Sequence, residues 1–287
     1  MLWTANQLSK HRFPRTYLFE PIIPRDGVVF FYGKRNIGKS HAVLGAALCV
    51  THGGRWYGRY QTAPGPVVYV QADMGPELEQ QRIHAAEKFY SMERLHLWFP
   101  NFLNLPSLQP DDPTVTAIKA INPVLIVWDT LRKAHRLANN DDDTPSWVYG
   151  SAKRLFPHCA HWFVHHDKKD VVDQDQLESD ELFRGTGAWL DDCDTGIHVS
   201  QQSQGRLLLE FTKVRSAPAQ PPIPLTLSPE SLLFYTSSDQ ITRLLEQWKA
   251  SHIGGTEEQL EQYLLSCFVG SPKVIRQLIG GIDGQRE

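Results

Sequence analysis

Long apolar runs are missing from this chain. The longest, such as Val124 to Trp128, are strand-sized and far short of the ~20 residues a membrane helix needs. The opening stretch, MLWTANQLSKHRF, has no apolar core of the kind a secretory leader carries. Cysteine is scarce. Cys49, Cys159, Cys193 and Cys267 are far apart and form no C-x-x-C pair, so they read as buried thiols in a reducing compartment, not as a disulfide framework. An excess of one charge is missing too. The formal net charge is −3, so no global basic field announces a nucleic acid; such a partner has to be held by local loops or across an oligomer. No internal repeat or low-complexity run is visible. The expectation is a cytoplasmic protein with no membrane partner.

What is present is an ordinary globular composition. The chain has 287 residues, 41% hydrophobic and 21% charged, enough for one large domain and a small appendage. Val28 to Tyr32, Val67 to Val70, Val124 to Trp128 and His161 to His165 read as buried strands. Helices are predicted over Ser40 to Thr51, Pro76 to Tyr90 and Trp147 to Phe156, with a short one ending at Cys193. Strands are expected again at Thr195 to Val199 and Leu207 to Thr212. Near-continuous apolar strands alternating with helices predict an α/β fold, a mostly parallel central sheet flanked by helices. Residues 1–25 read as a lead-in segment and 26–230 as the main domain, closed by a proline-rich stretch at 216–230. Residues 231–287 form a small helical C-terminal region, with helices over Ile241 to Trp248, Glu257 to Phe268 and Ser271 to Ile279. It has the pattern of a helix-turn-helix or of a small interaction domain.

The chemistry centres on Gly33-Lys34-Arg35-Asn36-Ile37-Gly38-Lys39-Ser40, which matches G-x-x-x-x-G-K-[ST]. Glycines let backbone N–H groups ring a phosphate, and the following helix, whose next residue is His41, adds its positive end. Lys39 is expected on the β- and γ-phosphates of ATP and Ser40 on Mg²⁺. A chance glycine-lysine turn is the alternative, and the strand before it and apolar helix after it argue against that. Asp129 ends the strand LIVWD and is a second magnesium candidate, or else a plain turn residue. Asp73 ends the strand YVQAD, where a carboxylate can polarise an attacking water; otherwise it caps the helix that begins near Pro76.

His165 and His166 follow the fourth strand, where a polar side chain lies beside a γ-phosphate. A metal site made with His158 and His161 is disfavoured, because strand spacing scatters these residues over both faces. One histidine of the pair is expected to be buried and hydrogen-bonded. Lys213 and Arg215 are two apart on a strand and point to one side. They are solvated charges or, in an assembled ring, fingers that reach a neighbour's γ-phosphate. The polar stretch 168–187 reads as a mobile loop whose Lys168, Lys169 and Arg184 could touch DNA phosphates.

The order P-loop, Ala72-Asp73, Asp129-Thr130-Leu131-Arg132, His165-His166, Arg184-Gly185-Thr186, Lys213-x-Arg215 resembles the RecA-like ATPases, most closely the RepA-type hexameric replicative helicases of plasmids. The phrases VVYVQAD, LIVWDTLRKAH, FVHHDKK and FRGTG carry the resemblance over roughly residues 20–220. It implies a RecA-type core, a homo-hexameric ring with nucleotide at each interface, and single-stranded DNA held by the loops at 168–187 and 200–206. It makes His166 the γ-phosphate sensor, with His165 the alternative, and places the trans-acting finger at Arg215 and Lys213. Asp73 stands where that family usually has a glutamate, one methylene or about 1.5 Å longer. Two functions follow: a plasmid or phage replicative helicase, or a non-unwinding ATPase serving as recombination mediator, helicase loader or switch.

Overall fold

The computed structural model describes residues 2–11, 16–138, 141–167, 187–237, 241–251 and 255–283. After a short helix α1 (Ala5–Lys10), strands β1 (Tyr17–Glu20) and β2 (Ile23–Pro24) lead to β3 (Val28–Gly33) and the helix α2 (Lys39–His52). Next come β4 (Arg55–Trp56), β5 (Tyr60–Thr62), β6 (Val67–Gln71), α3 (Pro76–Ala86) and β7 (Leu95–Trp98). A 3-10 turn, Leu105–Ser107, precedes α4 (Pro113–Ile121), β8 (Leu125–Asp129), α5 (Leu131–Ala134), α6 (Thr144–Leu155) and β9 (Ala160–His166). The second half holds α7 (Ala188–Asp192), β10 (Thr195–Ser203), β11 (Arg206–Val214), β12 (Ile223–Leu227) and β13 (Phe234–Tyr235). Three helices close the chain: α8 (Ile241–Ser251), α9 (Glu257–Ser266) and α10 (Pro272–Asp283).

The central sheet has nine strands in the order β13-β12-β11-β10-β3-β9-β8-β6-β7. From β10 to β7 every neighbouring pair is parallel, and β11, β12 and β13 add antiparallel pairs at the other edge. The two-residue period of the strands divides the core. Val29, Phe31, Tyr69, Val127, Trp162 and Val164 face α2 and are buried there. Val28, Phe30, Tyr32, Val68, Ile126 and Phe163 face the opposite way, under Ile118, Val148, Tyr149 and Trp189. Burying each large side chain contributes about 1.5–3 kcal/mol.

Four expectations change on the structure. The proline-rich 216–230 stretch does not end the fold, because Ile223 and Leu225 alternate inward with Pro224 and Thr226 outward and make β12. The pairing continues to Tyr235. The expected lead-in is part of the core as well: β1 pairs with β2 and β5, and Leu18, Phe19, Ile22 and Ile23 are completely buried. The helix expected to reach Tyr90 stops at Ala86, and the loop expected around 200–206 is a tight β10–β11 hairpin turning at Gly205 (φ 70°). The C-terminal helices pack behind α2. Leu244, Trp248, Leu264, Leu265 and Phe268 share its core, and the Cys49 thiol donates to the Ser266 carbonyl at 3.3 Å. Among the described residues no helix is long and apolar enough to cross a membrane.

Candidate functional site

β3 delivers Gly33 to a point where no larger residue fits: a Cβ there would lie 2.3 Å from the Val199 carbonyl oxygen. The loop then turns through left-handed backbone at Asn36 (φ 60°) and Gly38 (φ 102°), and Gly38 is the N-cap of α2. Lys34 and Arg35 are exposed on the loop, and Ile37 is buried under it. Lys39 folds back on the loop, donating to the Gly33 carbonyl at 2.7 Å and to the Lys34 carbonyl. It is only 4% exposed. Burial lowers its pKa to about 8, against the pull of the Asp167 and Asp129 carboxylates.

Strand alternation brings Gln71, Asp129 and His166 to the α2 face, at the ends of three neighbouring parallel strands. With Asn36, Gly38, Lys39, Ser40, His41, Asp73, Met74, Arg82, Thr130 and Val164 they line a cavity of about 290 Å³. Asp129 is 2% exposed. Burial pushes its carboxyl up, while hydrogen bonds from Ser40 and Tyr69 pull it down. The Tyr69 hydroxyl donates to Oδ2 at 2.7 Å. The Ser40 hydroxyl and the Asp129 carboxylate are hard oxygen donors in contact, a set that fits Mg²⁺ with the remaining positions left to water and phosphate.

The histidine pair separates by strand parity. His165 points to the other face, against Phe30 and Trp189 at ring distances of 5.6 and 6.3 Å. His166 faces the cavity, and burial, with Lys39 and Arg35 nearby, lowers its pKa to about 4. Asp73 stands exposed at the cavity's rim and does not cap α3, whose N-cap is Gly75 with no side-chain bond. The sequence reading missed Gln71, Glu79 and Arg82. Gln71 carried a signal, as the one amide closing an apolar strand; Glu79 and Arg82 sit in a polar helix and carried none.

Lys213 and Arg215 are not at this cavity. Val214 pairs with Thr195, whereas Gly33 pairs with Val199, four residues further along β10. At ~3.3 Å per residue that is about 13 Å along the strands, toward their opposite end. There Lys213 donates to the Leu190 carbonyl at 2.8 Å and to that of Asp191, and Arg215 donates to Asp191 as well. Arg215 also lines a separate cavity of about 540 Å³ with Tyr17, Arg25 and His158. Lys168, Lys169 and Arg184 lie outside the described residues.

Comparison with known proteins agrees with this geometry. A solved structure described as an ATPase domain superposes with a TM-score of 0.54 at 13% identity, over 73% of this chain and 84% of that one. A DnaB-like replicative helicase, described together with its interactions with primase, gives 0.54 at 14% identity, over 73% of this chain and 58% of that one. At these identities the likeness is one of fold: a RecA-like core, the fold of nucleotide-binding ATPases. No curated protein matches the chain. A family model described as an AAA domain matches residues 1–171, which takes in the P-loop, Asp73, Asp129 and both histidines. The match spans more than half of the sequence, and the chain belongs to that AAA domain family.

Proposed function

We propose that the chain is an ATP-hydrolysing RecA-like ring motor acting on single-stranded DNA, as a plasmid or phage replicative helicase does. The observation that carries this is the separation of Arg215 and Lys213 from the chain's own P-loop by four residues along β10. In a lone subunit they serve nothing at the nucleotide. In a homo-oligomer, most simply a hexamer, this end of the sheet meets a neighbour's P-loop and completes its site.

In this reading Lys39 leaves the Gly33 and Lys34 carbonyls and donates to the β- and γ-phosphate oxygens, joined by N–H groups of the loop and of the first turn of α2. Its low pKa in the free chain rises again beside that negative charge. Ser40 and Asp129 would hold Mg²⁺, which would offset the negative charge of the phosphates. Asp73 takes a proton from the attacking water. His166, whose pKa burial lowers in the free chain, offers a hydrogen bond to the γ-phosphate. Arg215, with Lys213, stabilises charge on the neighbour's transferring phosphoryl group. Lys168, Lys169, Arg184 and the hairpin at Gly205 supply the DNA contacts.

One observation favours the non-unwinding reading, a mediator, loader or switch: the C-terminal helices pack directly against α2, where a partner's arrival would be felt. The ATPase rate with and without single-stranded DNA, with the mass of the assembly measured in the same buffer, separates the two. The motor reading expects stimulation by DNA, a ring-sized mass, and DNA binding that weakens as salt rises through counterion release. A steady ATPase indifferent to DNA at every salt concentration moves the function to the switch.

A further inference from the structure

Gln71 breaks the pattern of its strand. β6 is apolar up to Val70 and then ends in an amide that is 1% exposed and in register with Asp129. Both ends of that amide are engaged. Its Oε1 accepts from the backbone N–H of Asp73 at 3.2 Å and of Met74 at 3.3 Å. Its Nε2 donates to Glu79 Oε2 at 3.0 Å. Glu79 is itself 1% exposed, and Arg82 donates to the same oxygen at 3.0 Å. The other oxygen, Oε1, is buried with no hydrogen-bond partner among the described residues. Burial pushes the Glu79 carboxyl up, while Arg82 and Gln71 pull it back. A buried carboxylate costs stability unless its charge is answered. Here the whole answer converges on Oε2, where Gln71 and Arg82 meet.

The turn tied to this pair carries Asp73. Among the described residues no hydrogen bond or ion pair holds the Asp73 carboxylate, so its position follows from the backbone, and that backbone is held by Gln71. An aspartate has one torsion fewer than a glutamate with which to correct a displaced backbone. A misplacement of about 1 Å costs up to 10²-fold in rate.

We propose that Gln71 and Glu79 are positioning residues for hydrolysis: the buried Glu79–Gln71 pair fixes the Asp73–Met74 turn and so sets where the Asp73 carboxylate stands at the rim of the nucleotide cavity. The proposal rests on the reading of Asp73 as the base. Glu79 is not taken as the base, since it is 1% exposed and is not among the residues that line the cavity.

The test is a double-mutant cycle on ATP turnover. Gln71→Met keeps length and burial but removes all three hydrogen bonds. It is expected to lower kcat on the order of tenfold to a hundredfold, with KM and the affinity for a non-hydrolysable ATP analogue held within about twofold. In an Asp73→Asn background it should cost nothing further, because its effect passes through that carboxylate. Glu79→Gln should show the same split more weakly, and it serves where Gln71→Met folds poorly. If Asp73→Asn alone leaves kcat intact, the base reading fails and the positioning role with it. If Asp73→Asn is slow but Gln71→Met or Glu79→Gln leaves kcat unchanged, or multiplies with Asp73→Asn, the base reading stands and the positioning role is overturned.

Discussion

The ring of Phe234 lies against Gly38: a Cβ built on Gly38 would stand 2.8 Å from Phe234 Cε2. The last strand of the sheet therefore closes on the glycine that opens the P-loop helix. Beside it, His41 Nδ1 is 2.7 Å from the Leu232 carbonyl oxygen, and Leu232 takes left-handed backbone (φ 55°). Further along the helix, a Cβ on Gly45 would lie 3.3 Å from the Phe268 ring. The end of the sheet and the C-terminal region thus touch α2 at successive turns.

Gly38→Ala meets two obstacles at once. The φ of 102° lies outside the backbone that alanine adopts comfortably, and the new methyl group meets an aromatic ring in a packed site. Each effect costs about 1–3 kcal/mol. The variant should melt well below the parent and bind nucleotide weakly, since the loop N–H groups are displaced. Adding Phe234→Ala removes the collision and leaves the backbone strain, so nucleotide affinity should stay low. Thermal melting together with titration of a fluorescent ATP analogue checks both; an unchanged Gly38→Ala would show that the loop can relax around the methyl group.

His166 gives a pH signature whose sign is fixed. Its folded pKa of about 4 lies below the ordinary histidine value of 6.5. Between those values the unfolded chain binds a proton that the folded chain does not. The stability linked to His166 is therefore full above pH 6.5 and is lost as pH falls through to about 4. His166→Gln keeps a neutral hydrogen-bonding group and removes that loss. The parent's Tm should fall more than the variant's between about pH 7 and pH 4.5, while His161 and His135, also held neutral by burial, contribute equally to both. His166→Ala should bind nucleotide and turn it over slowly. Parallel melting curves for parent and His166→Gln across that window would mean that the ring does not stay neutral in the fold.

That Asn36, Gly38, Lys39, Ser40 and Asp129 would stand near one another was legible in the sequence because the parts are local. A glycine loop, a strand before it and a helix after it are read from one short stretch of consecutive residues, and Asp129 closes an unbroken apolar strand. The choice between His165 and His166 was not local. Which ring faces the cavity depends on which parity of β9 faces α2, and His166 is the one that lines it. The edge of the sheet was missed at Ile223–Leu227 for a related reason. Prolines flag a break, yet Pro224 sits at an outward position on a strand whose inward residues, Ile223 and Leu225, decide its fate. The packing of the tail on α2 is a long-range contact between two apolar surfaces, and neither surface names its partner.

The position of Arg215 yields the sharpest test of assembly. Its side chain is half-exposed, tied to the Asp191 carbonyl and 3.8 Å from Asp194, at the end of the strands away from its own P-loop. A subunit with Arg215→Ala keeps every group of its own nucleotide cavity, so it should bind ATP as the parent does and hydrolyse it poorly. A subunit with Lys39→Ala loses the ammonium at the phosphates and should not hydrolyse ATP at all, yet its Arg215 is intact. Mixed together, the Lys39→Ala subunit lends its arginine to the intact P-loop of an Arg215→Ala neighbour, and activity should rise above that of either variant alone. The rise should be partial, because only one of the two orders of neighbours makes a complete site. The measurement is ATPase rate against mixing ratio, with subunit exchange followed independently by energy transfer between labelled chains. Activity that stays flat across all ratios while exchange is complete would leave Arg215 as a surface charge that braces α7, and would remove the geometric argument for a ring.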